Sequence, residues 1–384
     1  MGAYSEFYIG KYNLFTSKYT YIDELMSVFL DSNLCNDVHE EEYFCRFDMS
    51  VLNYKYRLDL MGYTLKRAKR EFSHFFDYDK YFEDLEEKYK PDIRKVDFDF
   101  FVSKLNEFLD NREENIGESE LLKHMFDNDW PTNNILGFPI SDIRLIVRII
   151  AEFCDNEDIV TYDMTDLINS GYFIEGFDFV KSAKNNLKTI GKLYDKIIII
   201  TEGKADIGIL RKAFELKYQE EKEFFEFFDY SIQRLPGSTS EVLKLVKTFA
   251  TVGIKNRTIV LFDNDTAGRA EFERFKSLNI PDNIRGTCYP NLEIGNSYPT
   301  IKEDILHYED INGRAVSIEL FLGDSILKRR GCHLPIEWKN NNQGVICEKE
   351  SVKKQFYKMC KENPENIDWK DIDKIFQILI NVFV

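Results

Sequence analysis

The chain has 384 residues, enough for two or three domains with real cores. Hydrophobic residues make up 43% and aromatic residues 15%, which excludes a disordered chain. The net charge of −16 excludes a surface that attracts polyanions everywhere, though not a local basic groove. Seven cysteines are scattered with no C-x-x-C pair, so reduced thiols and no zinc site are expected. The N-terminus has Glu6 and Lys11 where a leader would have an apolar core. No apolar run approaches a membrane span. A cytoplasmic location without membrane association is therefore expected.

Residues 1–190 read mainly as helix. Residues 4–10 alternate like a strand. Helical spacing follows over 22–30, 54–89, 97–109, 121–126, 142–154 and 180–190. Residues 44–47 are ambiguous, and 159–171 read as a short extended piece and a turn. Asp142, Arg144 and Arg148 suggest a structural polar network or a partner surface. Helical periodicity gives way to a β-branched run near residue 190, which divides the chain into domains 1–190 and 191–384.

The second domain is organised around residues 196–267. Ile197 to Ile200 form a β-branched run suited to a strand buried on both faces. It ends at Thr201-Glu202-Gly203, and a helical pattern begins. Thr258 to Phe262 form a second such run, ending at Asp263-Asn264-Asp265 and then Gly268. In open parallel sheets, strand carboxyl ends share one edge, where sites form. Glu202, Asp263 and Asp265 can meet there as a hard-cation site, most naturally for Mg²⁺ with Mn²⁺ as the alternative. Their competing role is to cap helices as ordinary turn residues. Asp206 lies one helical turn after Glu202 and adds a fourth acid. Glu319 sits among apolar residues and would need a partner there. Residues 220–226 read as an acidic, aromatic loop or helix end before the second strand, and 352–360 as the terminal helix. No G-x-x-x-x-G-K-[ST] loop is present, so the chain carries no P-loop ATPase.

Glu202-Gly203 and Asp263-Asn264-Asp265, in this order and strand context, resemble the Toprim domain. That domain is shared by topoisomerases, DnaG-type primases and several nuclease families. Residues 231–235, followed by Pro236-Gly237-Ser238, resemble the family's second strand and glycine turn. The opening Met1-Gly2-Ala3-Tyr4-Ser5 and the segment 163–172 resemble the N-terminal domain of bacterial HEPN/Toprim-associated proteins. The resemblance implies an α/β Toprim domain, Rossmann-like with a mainly parallel sheet, after a mainly α-helical HEPN-like domain. Nucleases of the overcoming-lysogenization-defect type add a further acid and a late lysine. Ile318-Glu319 and Lys349 are similar to those elements. Active HEPN domains pair an arginine with a histidine, and Arg67 and His74 are the pair whose spacing fits. Their competing role is as surface residues of a charged helix.

The expected function is Mg²⁺-dependent hydrolysis of nucleic-acid phosphodiester bonds, DNA or RNA, tRNA included. Five acids, Glu202, Asp206, Asp263, Asp265 and Glu319, would hold metal, and Lys349 would neutralise charge on the phosphate. Resemblance implies a role in bacterial anti-phage defence. Beyond the nucleic acid, the expected partner is a separate ATPase or sensor subunit, and self-association is left open. Two rivals stand beside this reading. One is a scaffold that binds metal without turnover, and the other is a HEPN ribonuclease with a regulatory Toprim domain.

Overall fold

Alternation of buried and open side chains builds the first sheet. Tyr4–Ile9 (β1) buries Ser5, Phe7 and Ile9 and turns its other residues outward. Gly10, at φ 53°, leads it into Tyr12–Lys18 (β2). Leu34–His39 (β3), Glu42–Ser50 (β4) and Ile159–Asp163 (β5) complete a five-stranded sheet. Its order is β2-β1-β5-β4-β3, antiparallel throughout. The computed structural model describes residues 2–39, 42–111, 120–126, 137–191, 195–229, 239–340 and 342–383. The chain divides into two compact units, Met1–Tyr194 and Asp195–Phe383.

The first unit is therefore mixed, not mainly helical as expected. The ambiguous stretch 44–47 lies inside β4. Its interior place, between β3 and β5, depends on β5, more than a hundred residues later in the chain, and local periodicity does not show such pairing. The helices are also shorter than the spacing suggests. The run 54–89 breaks into Val51–Met61, Leu65–Phe75 and Tyr78–Tyr81. Gly62 at φ 91° ends the first of these, and Thr64 caps the second.

Ile143–Ile150 is buried along its whole length, and Asp142 caps it. Two arginines on it therefore need counter-ions. Arg144 forks onto Asp142 at 2.9 and 2.8 Å and lies 4.1 Å above the Tyr63 ring. Arg148 forks onto Asp59 at 2.9 and 3.2 Å, with both side chains buried. These pairs are the structural polar network, and they fix the helix in one register.

In the second unit, Ile197–Thr201 (β6), Phe225–Phe227 (β7), Thr258–Phe262 (β8) and Ile284–Cys288 (β10) form a parallel sheet, ordered β10-β8-β6-β7. The two-residue β9, Asn264–Asp265, follows β8. Helices Lys204–Leu216, Thr239–Val252 and Thr266–Lys276 make the crossovers. β8 is buried at every residue, as a strand covered on both faces should be. The strand expected at 231–235 and the turn at 236–238 lie outside the described residues. Beside β6 stands β7, within the stretch read as an acidic loop. A second sheet joins Tyr298–Lys302, Ile305–Glu309, Ile336–Asn340 and Gln343–Ile346. The helix expected at 352–360 runs from Lys349 to Glu362 and is not the last. Lys370–Asn381 follows, with Phe376 stacked on Tyr218 at 3.9 Å. Among the described residues, no helix is long and apolar enough to cross a membrane.

The Asp59–Arg148 pair gives the first prediction. Arg148 also meets Glu152, which is 42% exposed, so Asp59→Ala removes the buried one of its two carboxylate partners, at a cost of about 1–3 kcal/mol. Urea unfolding should show a loss of that size. A loss below about 1 kcal/mol would mean that the pair does not hold the helix.

Candidate active site

The register of the parallel sheet assembles the site. Thr201 pairs with Leu261, and Cys288 pairs with Phe262. The residues that follow these strands, Glu202, Asp263 and Tyr289, thus emerge side by side at the carboxyl edge. The Asp263 backbone N–H donates to Glu202 Oε1 at 3.2 Å, tying the two strand ends together. The Asp265 side chain accepts from the Gly268 N–H at 2.7 Å and so caps the helix Thr266–Lys276. A Cβ on Gly268 would lie 2.3 Å from the Asp263 carbonyl oxygen and 2.8 Å from Glu202 Oε1. Only glycine lets the helix start this close to both acids.

Asp206 is buried on the first turn of Lys204–Leu216 and accepts from the Tyr289 hydroxyl at 3.3 Å. Glu319 is brought in by a short bridge. Ala315–Val316 pairs antiparallel with β9, placing Val316 beside Asn264. The turn Ile318–Phe321 then carries Glu319 into the interior, where it is 0% exposed. The Ser317 hydroxyl donates to its Oε2 at 2.7 Å. Its Oε1 lies 3.3 Å from Lys349 Nζ and 3.6 Å from Lys353 Nζ. Both lysines stand on the helix Lys349–Glu362.

Electrostatics follow from this crowding. Burial pushes the Glu202 carboxyl up to about 8, helped by the nearby charges of Asp265, Asp206 and Glu271. Burial and the Glu319 charge raise Asp206. Burial, Asp206, Glu202 and Asp265 raise Asp263 well above the carboxylate range. Burial works against the Lys349 ammonium, but Glu319, Asp263 and Asp206 together hold it above its usual value. Asp263 Oδ1 is buried without a hydrogen-bond partner among the described residues.

The fit to a cation is a matter of donor type and charge. Glu202, Asp206, Asp263 and Asp265 supply oxygens only, the donors of a hard divalent ion. The bare Asp263 oxygen wants such a partner, and burial, with proximity added, drives three of these carboxyls toward protonation. As the side chains stand, no group of three His, Cys, Asp or Glu residues among the described ones converges enough to hold a metal ion. Binding would have to draw the carboxylates inward against the repulsion that separates them.

The structure does not assemble the other candidate pair in the same way. Arg67 is engaged by Glu71 at 2.7 Å, by the Gly62 carbonyl at 3.4 Å and by the Tyr63 ring at 4.8 Å. His74 is exposed and meets the Phe75 ring edge-on. No hydrogen bond links His74 to Arg67 among the described residues. Sequence reasoning missed Tyr289, Ser317 and Lys353. Tyr289 follows a strand, Ile-Arg-Gly-Thr-Cys, too polar to be read as one. Lys353 had a signal, being one helical turn from Lys349.

A pH prediction follows from Glu202. Its carboxyl rises from an ordinary 4.5 to about 8 in the fold, so the native state keeps a proton that the unfolded chain has lost. Its contribution is then fully present below about pH 4.5 and is lost as pH rises through about 8. In EDTA, wild type should lose melting temperature across this window relative to Glu202→Gln. Parallel pH profiles for the two proteins would contradict it.

No curated protein matches this chain, and no solved structure matches it. Residues 1–186 match a family model, the one described as HEPN/Toprim N-terminal domain 1.

Proposed function

We propose that this protein is a metal-dependent nuclease whose Toprim-like second unit hydrolyses phosphodiester bonds. The observation that carries the reading is Asp263. It stands half-buried at a strand carboxyl end, has one oxygen buried and bare, and lies in the fields of Glu202, Asp206, Asp265 and Lys349. An acid cluster with a lysine beside it suits a cation and a phosphate together. The match of residues 1–186 supports a nuclease-related role, since the family name joins two domain types found in nucleases.

In this reading Glu202, Asp206, Asp263 and Asp265 hold Mg²⁺ or Mn²⁺. The chemistry such an ion supplies is charge neutralisation at the phosphate and activation of water. Glu319, expected as a fifth ligand, has Oε2 held by the Ser317 hydroxyl, while Oε1 makes no hydrogen bond among the described residues but lies in ion-pair reach of two lysines, so we assign it to anchoring Lys349. Lys349 faces the substrate and offsets negative charge that builds on the phosphate oxygens. The Tyr289 hydroxyl orients Asp206, and the cap on Gly268 orients Asp265. Glu202 holds a proton near neutral pH in the free protein and releases it when positive charge arrives. The substrate is DNA or RNA. A separate ATPase or sensor subunit and a role in anti-phage defence complete the proposal.

The test is a nuclease panel of plasmid DNA and total tRNA, with Mg²⁺, with Mn²⁺ and with EDTA. Cleavage should require the divalent ion. Asp263→Ala should lower it at least a hundredfold, comparable to losing a principal charge-stabilising group, while the protein stays folded. Mg²⁺ should raise the melting temperature of wild type but not of Asp263→Ala. Cleavage that survives Asp263→Ala, or that proceeds in EDTA, would overturn the assignment.

A further inference from the structure

Glu319 has two cations where one would neutralise it. Lys349 and Lys353 both approach Oε1, at 3.3 and 3.6 Å, one helical turn apart on the same face. The two are not equivalent. The Lys349 side chain is 36% exposed, and that of Lys353 is 16% exposed. Both lysines act on Asp206, and Lys349 acts on Asp263 as well, at the heart of the acid cluster. Lys353 has its second contact with Glu350 at 2.8 Å, a carboxylate that is 76% exposed and so well screened.

A fully buried carboxylate that loses its only cation is left uncompensated, at high cost. If Lys349 were alone, leaving Glu319 for a substrate phosphate would incur that cost on every turnover. With Lys353 in reach of the same oxygen, Glu319 stays paired whichever way Lys349 points. We propose that Lys353 is a positioning residue: it holds the buried Glu319 charge so that Lys349 is free to reach the phosphate. The catalytic half of this proposal rests on the nuclease reading above. The structural half, two interchangeable counter-ions on one buried acid, does not.

The experiment is a cycle in the full-length chain of Lys349→Met, Lys353→Met, both together, and both with Glu319→Gln. Each single variant should melt only slightly below wild type, because the other lysine still pairs with Glu319. The double variant should lose clearly more than the sum of the singles. Adding Glu319→Gln should restore most of that extra loss, since no buried charge then remains. Melting losses that simply add, or that Glu319→Gln does not relieve, would overturn the shared-counter-ion arrangement.

Activity decides the other half. Lys353→Met should lower kcat at least tenfold with KM changed less than threefold, because Lys349 is then held on Glu319. Lys353→Arg should recover most of that rate. Wild-type kcat in Lys353→Met would overturn the positioning role while leaving the nuclease reading intact. A wild-type protein that cleaves nothing with either divalent ion would instead overturn the nuclease reading, and the catalytic half with it. The melting cycle would still decide the structural half.

Discussion

Like charges held together at the carboxyl edge of a parallel sheet are the constraint on which the second unit depends. Parallel strands must be covered on both faces, so their apolar runs end abruptly where the chain turns to the next crossover. At β6 and β8 the turns carry acids, and the register sets those acids side by side. The sheet tolerates this because each carboxylate has a specific compensation. Glu202 accepts the Asp263 N–H, Asp265 accepts the Gly268 N–H, Asp206 accepts from Tyr289, and Glu319 has two lysines and a serine. Asp263 Oδ1 is the exception: unlike Glu319 Oε1, which lacks a hydrogen bond but has ion pairs, it has neither among the described residues.

What could be read from the chain was what is local. The apolar runs at 197–200 and 258–262 read as strands because they are short, rich in β-branched residues and closed by turn residues. Their ends locate Glu202 and Asp263 to the residue. Non-local facts were hidden. β10 reads Ile-Arg-Gly-Thr-Cys, and only its place beside β8 makes it a strand. With it went Tyr289, the partner of Asp206. β7 is three residues long and was lost in an acidic context. In the first unit, β4 is an interior strand only because β5 returns from far along the chain. The helical pattern around it was legible, as were β1 and β5 as extended pieces, and the pairing into one sheet was not.

Glu319 lies between these cases. Its isolation among Ile318, Leu320 and Phe321 signalled a buried charge that must have a partner. The partner's identity required the fold. Val316 beside Asn264 carries Glu319 to the cluster, and a helix thirty residues later supplies the lysines. Lys349 was legible by resemblance alone. Lys353 needed the observation that both side chains aim at one oxygen, which periodicity allows but does not dictate.

The capping and ligand roles of Asp265 are compatible, and the fold gains from combining them. A carboxylate has two oxygens, and Oδ1 is taken by the Gly268 N–H. That bond fixes the side chain at a helix start, where the partial positive charge of the first turn favours an anion. Asp265 is thus held in one orientation beside carboxyls that burial and mutual repulsion drive toward protonation. Gly268 makes this arrangement sterically feasible, because its missing side chain leaves room for the Asp263 carbonyl and the Glu202 carboxylate. The Asp-x-Asp-x-x-Gly spacing is then one device. It caps a helix, orients one acid, and brings that helix start against the ends of two strands.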